Sequence, residues 1–273
     1  MGERSWASEV RGFASESVGV EFEISLATCG DDPRTTLIVT DADGLFGLAV
    51  DSVRLMQIPA MVPPMLVVGI GYRHATSLVD TIESRTRDLT PTAVPAFAGS
   101  GGGGAFAGFL ESELRPWLAD LAPAATAELT YFGHSLGGLF GTHLMLTRPG
   151  LFDRYILSSP SLWWDDGGIF DTEAAVATSR DDLSASVVFG IGGLETDAGR
   201  RLEGRQLPDG HPAKPPAAHL DMVEVLDRFV TRLAGRRHPG LQLRSIVIPD
   251  EFHATVPAVV LTRALRWFHR SDG

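Results

Sequence analysis

The stretch that most constrains this chain is the run from Leu129 to Gly141. Residues Leu129 to Phe132 are apolar or strand-forming, and Gly133-His134-Ser135-Leu136-Gly137-Gly138 follows at once. A short apolar run that breaks on glycine and resumes as small and apolar residues predicts a strand, a tight turn and a helix. The pattern Gly-x-Ser-x-Gly at such a turn sets a serine on a sharp bend with its hydroxyl facing a cleft. The glycines keep Cβ atoms out of the space where strand and helix cross. The helix N-terminus offers unpaired N–H groups and the positive end of the dipole to a developing negative charge. Ser135 is therefore the candidate nucleophile. The N–H of Leu136, the next residue, is the first candidate oxyanion donor.

The rest of the chain supplies a sheet for that turn. Phe13 to Leu26 alternates around Val18-Gly19 and predicts a hairpin at a sheet edge. Buried strands are expected at Thr35–Thr40 and Met65–Ile70, and further strands at Arg154–Ser158, Val187–Ile191 and Leu243–Ile248. Helical spacing of apolar residues runs over Phe46–Gln57, Phe106–Leu118, Leu220–Leu233 and Val259–Phe268. Strands alternating with helices predict an α/β fold, a mostly parallel central sheet with helices on both faces. A single domain over 1–273 is expected, with loop or lid insertions near 73–104 and 196–218. The glycines at 101–104 read as a flexible loop, since they lack the Lys-Ser/Thr of a phosphate cradle.

Composition excludes several function classes. The net charge is −11, which disfavours nucleic acid as a partner. No run approaches the ~18 apolar residues of a membrane span, and the N-terminal residues do not read as a signal peptide. One cysteine, Cys29, excludes an internal disulfide and a cysteine-rich metal site. A cytoplasmic address, no metal and no cofactor are the expectations. The oligomeric state is left open.

A nucleophilic serine needs a base and an orienting acid, in the chain order Ser, acid, His. Functional residues of such sheets gather at the carboxyl ends of strands. His253 follows the last strand and is the candidate base. Glu195 follows Val187–Ile191 and is the candidate acid, with Asp197 as its rival. The remaining histidines, His74, His134, His143, His211, His219, His238 and His269, are expected to be structural or solvated. The second oxyanion donor is expected in the loop after Thr35–Thr40, at Asp43-Gly44-Leu45, with the Leu45 N–H as candidate. Tyr72, Trp163 and Trp164 are the candidate walls of a substrate pocket, being rigid and apolar. Arg73, Arg85 and Arg87 either hold a polar substrate end or pair with nearby acids.

These motifs together carry a resemblance. Gly-His-Ser-Leu-Gly-Gly at 133–138, Asp43-Gly44-Leu45, Arg87-Asp88-Leu89-Thr90-Pro91, Phe106 to Pro116, Ser159-Pro160-Ser161-Leu162-Trp163-Trp164 and Glu251-Phe252-His253 are similar to the esterase D-like family of α/β-hydrolases. The branch they resemble is related to siderophore esterases of the enterobactin and salmochelin type, over roughly residues 15–268. The resemblance implies an α/β-hydrolase fold and ester or lactone hydrolysis through an acyl-serine. Ser135 would be the nucleophile, His253 the base and Glu195 the acid, with Leu45 and Leu136 as oxyanion donors. The substrate would be a small-molecule ester. The alternative is an acyltransferase of the same fold that passes the acyl group to an alcohol or amine.

Overall fold

The computed structural model describes residues 8–204 and 221–270. Five strands are buried almost throughout: β3 (Thr35–Thr40), β4 (Met65–Tyr72), β5 (Leu129–His134), β6 (Arg154–Ser158) and β7 (Ala185–Gly192). Alternation explains why their sequences read as continuous apolar runs. On β5, Leu129 and Tyr131 enter one core and Phe132 the other. On β6, Tyr155 and Leu157 oppose Ile156, and on β7, Val187, Phe189 and Ile191 oppose Val188. Both faces are covered, so both parities are mainly apolar, with threonines such as Thr36 and Thr130 the buried exceptions.

The edge hairpin forms as β1 (Ser8–Ser15) and β2 (Val20–Cys29), and β8 (Leu241–Ile248) closes the other side. The eight strands lie in the order β1-β2-β4-β3-β5-β6-β7-β8. β2 is antiparallel to both of its neighbours, and every other pair is parallel. One core lies under α1 (Ala42–Gln57) and α9 (Val256–Phe268), through Ala49, Val53, Val260 and Leu261. The other lies under α5 (Leu136–Thr147), α6 (Trp164–Ser179) and α8 (Met222–Gly235). Each fully buried Leu, Ile, Val or Phe contributes about 1.5–3 kcal/mol. The two layers, rather than any single helix, therefore hold the sheet.

Three elements differ from their expected form. α1 starts at Ala42, directly after β3, and not near Phe46. The polar excursion after β4 contains a helix, α2 (Leu78–Asp88). A capping box nucleates it: the Asp80 N–H donates to Ser77 Oγ at 3.2 Å, and the Ser77 N–H donates to the Asp80 carboxylate at 3.0 Å. The helix expected over Phe106–Leu118 is broken into α3 (Gly103–Phe109), a π turn at Leu110–Leu114, and α4 (Arg115–Leu121). Pro116 lacks an N–H, and its ring crowds the carbonyl four residues back, which favours the wider turn. Glu113 in that turn accepts the N–H groups of Glu16 and Ser17 at 3.1 and 2.8 Å, and so pins the β1–β2 turn.

The expected insertion at 196–218 begins with α7 (Asp197–Gly204). The rest of it, with His211 and His219, lies outside the described residues. Among the described residues, no helix is long and apolar enough to cross a membrane, and no three metal-ligating side chains form a group.

Candidate active site

Ser135 sits between β5 and α5 with φ 59° and ψ −117°, a conformation that costs a non-glycine residue energy. The surrounding structure holds it there. Its N–H donates to the Ser158 carbonyl on β6 at 2.9 Å, and its carbonyl accepts from Leu139 at 2.9 Å and Ser161 at 3.1 Å. A Cβ at Gly133 would lie 2.3 Å from the Gly137 carbonyl oxygen, so the crossing closes on glycine alone. Leu136 is the first residue of α5, where an N–H has no acceptor within the helix. The Ser135 hydroxyl lies 3.3 Å from the Ser161 hydroxyl.

The candidate acid and base are brought together by two loops laced to each other. After β7, Gly193 N–H donates to the Ile248 carbonyl at 2.7 Å, and Leu194 N–H donates to the Glu251 carbonyl at 3.1 Å. That lacing sets Glu195 beside His253, with Glu195 Oε2 2.6 Å from His253 Nδ1. Glu195 is 1% exposed. Its other oxygen, Oε1, accepts from the Ser159 hydroxyl at 2.5 Å and from the Gly192 N–H at 2.9 Å. The rival acid, Asp197, opens α7 and lies 3.9 Å from Arg201. His253 packs its ring against His134, the residue before Ser135, with ring centroids 4.4 Å apart. Removal from water, with the His253 ring and Arg85 beside it, holds His134 well below the ordinary imidazole value. His134 is thus a neutral platform under His253.

Leu45 is not a free donor. Its N–H gives its hydrogen bond to the Asp41 carbonyl at 3.0 Å, because α1 starts at Ala42 and Leu45 already belongs to its first turn. Gly44 N–H is also spent on Asp41, at 3.1 Å. The amides without an acceptor inside α1 are those of Ala42 and Asp43. Asp41, at φ 55°, turns the chain from β3 into α1 and is clamped by Arg85, with bonds of 2.9 and 3.0 Å to its two oxygens.

The expected aromatic wall divides. Tyr72 is 6% exposed and packs on Phe22, while burial raises its hydroxyl well above the usual phenol value. Trp164 is 2% exposed and ties α6 to the Thr92 carbonyl through its indole N–H at 3.1 Å. Both belong to the core, Tyr72 against Phe22 and Trp164 against Phe97. Trp163 is half-buried and lines a cavity of about 340 Å³ with Leu162, Phe170 and Arg228. The arginines pair with acids: Arg73 with Glu21, Arg85 with Asp41, Arg87 with Asp88.

Four residues near the site were not singled out by sequence for a role there: Asp41, His134, Ser159 and Ser161. The serines stood in a visible motif, Ser159-Pro160-Ser161 at a strand exit, but their partners are 36 and 26 residues away. No local pattern encodes such bonds.

Comparison with known proteins identifies the family. Residues 62–223 match the family model described as "Putative esterase". The siderophore triacetylfusarinine C esterase of Aspergillus fumigatus is 31% identical over 88% of this chain and 82% of its own length. The ferri-bacillibactin esterase BesA of Bacillus subtilis is 28% identical over 97% of this chain and 91% of its own. Among solved structures, the siderophore hydrolase EstB from Aspergillus nidulans superposes with a TM-score of 0.80 at 26% identity, covering 98% of this chain and 96% of its own. The strand order, the elbow at Ser135 and these similarities converge, and the chain belongs to this esterase family: it is an α/β-hydrolase that cleaves carboxylic esters, related to the siderophore esterases.

Proposed function

We propose that this chain is a serine esterase that hydrolyses siderophore-type oligoesters with a Ser135–His253–Glu195 triad. The observation that carries the triad is the 2.6 Å contact between Glu195 Oε2 and His253 Nδ1, beside the residue that precedes the strained Ser135. The names of the relatives, esterases of triacetylfusarinine C and ferri-bacillibactin, support the substrate class.

In this reading Ser135 attacks an ester carbonyl while His253 takes its proton at Nε2. Glu195 orients the ring through Nδ1 and stabilises the imidazolium. The Leu136 N–H and a free first-turn amide of α1, at Ala42 or Asp43, stabilise the oxyanion. His253 then returns its proton to the leaving alcohol and later activates the water that releases the acid. A cytoplasmic place of action fits the free, buried thiol of Cys29.

The test is hydrolysis of p-nitrophenyl acetate and of ferric and iron-free hydroxamate and catecholate oligoesters by wild type and Ser135→Ala. Fluorophosphonate labelling should mark Ser135. Equal turnover in Ser135→Ala sinks the triad. Cleavage of simple aryl esters with no oligoester cleaved sinks the substrate class alone.

A further inference from the structure

The chain leaving β6 touches the groups of the proposed triad one after another. Ser158 accepts the Ser135 N–H on its carbonyl at 2.9 Å, and its hydroxyl lies 3.1 Å from His134 Nδ1 under the His253 ring. Ser159 reaches Glu195, and Ser161 reaches the Ser135 hydroxyl. Ser161 also donates its N–H to the Ser135 carbonyl at 3.1 Å. The approach is close: a Cβ at Gly138 of α5 would lie 2.9 Å from Pro160 Cα and 3.0 Å from the Ser158 carbonyl oxygen.

We infer that Ser158 to Ser161 act as a template for the triad, and that Ser159 is the positioning residue that aims Glu195 at His253. The inference rests on the triad reading above. Ser159 is fully buried, with φ 42° and its N–H held by the Gly190 carbonyl at 2.7 Å. Glycine takes such a φ without cost, whereas serine does not. Here the strained position carries a hydroxyl, and that hydroxyl is spent on a carboxylate. The carboxyl torsion of a glutamate is intrinsically broad. Two donors, the Ser159 hydroxyl and the Gly192 N–H, fix Oε1 and leave Oε2 facing the imidazole. The bond to a buried, acceptor-only carboxylate is charge-assisted, so its direction is well defined.

Backbone strain and hydroxyl chemistry can be separated by substitution. Ser159→Gly relieves the strain and removes the hydroxyl, while Ser159→Ala keeps the strain and removes the hydroxyl. Both should keep the wild-type KM and lose kcat roughly 10- to 100-fold, the range seen when a partner that orients a functional ligand is removed. Ser159→Gly should melt no lower than wild type. Combined with Glu195→Gln, Ser159→Gly should cost almost nothing more, because residues acting as one unit are not additive. Wild-type kcat in Ser159→Gly overturns the inference, as do losses that multiply in the double variant. Failure of both Ser159 variants to fold overturns it too, since the side chain then serves the fold. A Glu195→Gln variant as fast as wild type removes the acid from the triad and this inference with it. A slow Glu195→Gln beside a fast Ser159→Gly removes this inference alone.

Discussion

Where β6, β7 and β8 end, the chain is fixed by neutral donors. Ser159 and Gly192 hold one oxygen of Glu195, Gly193 and Leu194 tie the acid loop to the loop carrying His253, and Ser161 meets the Ser135 hydroxyl. Where β3 and α2 end, it is fixed by ion pairs: Arg85 on Asp41 and Arg87 on Asp88. The two regions face different demands. Hydroxyls and amides orient an imidazole and a carboxylate without adding a charge that would compete with them. The ion pair at Asp41 anchors the start of α1, whose free first-turn amides would have to stay in place to serve as the proposed oxyanion donors.

Breaking each region separately tests that division. Ser135→Ala should lower kcat by about 10⁴-fold or more at unchanged melting temperature, because the nucleophile is lost and the frame is not. Glu195→Gln keeps the shape but gives His253 a neutral partner, so a loss of roughly 10²- to 10⁴-fold in kcat with little change in KM is expected from steady-state kinetics. Arg85→Leu works on the other region. It strands the Asp41 carboxylate in a largely buried position, at a cost of about 3 kcal/mol, and calorimetry should record a melting temperature several degrees lower. If Arg85→Leu instead melted like wild type, the ion pair would not anchor α1.

The smallest effect concerns pH. Burial, with Arg154 beside it, lowers His269 to about 4. The unfolded chain protonates this histidine near 6.5, before the folded one does. Stability contributed by neutral His269 is thus complete above pH ~6.5 and is lost as the pH falls toward 4. His134 is lowered as well and acts in the same direction. His269→Gln should therefore melt with a shallower decline between pH 7 and pH 4.5 than wild type. Parallel curves would show that His269 takes no part.

The legible parts of the chain were those with a local cause. Both faces of the sheet are buried, so β3, β4, β5, β6 and β7 read as apolar runs. Strand ends single out Ser135, Glu195 and His253 as candidates, and the structure sets Glu195 beside His253. The errors arose where a local pattern had two solutions. Asp43-Gly44 read as a turn, but Asp41 takes the left-handed conformation first and starts the helix three residues before Leu45 is reached. Tyr72 and Trp164 read as pocket walls because aromatic residues at strand exits can line a cleft or be roofed over, and here they are roofed over. The helix α2 has a local signal in Ser77-x-x-Asp80, but its polar surroundings give no apolar period to go with it. The bonds of Ser159 and Ser161 had no local signal at all.

The π turn has a consequence for how the helix around it meets the core. Phe106, Leu110, Leu114 and Leu118 are all buried, and they recur every four residues. In a regular α-helix four residues overshoot a full turn by about 40°, so three such steps would carry the stripe about 120° around the axis and turn Leu118 away from the sheet. A wider turn in the middle unwinds part of that overshoot. The helix can therefore keep a four-residue repeat and one straight seam of contact, with the wide turn acting as a phase correction between its two ends.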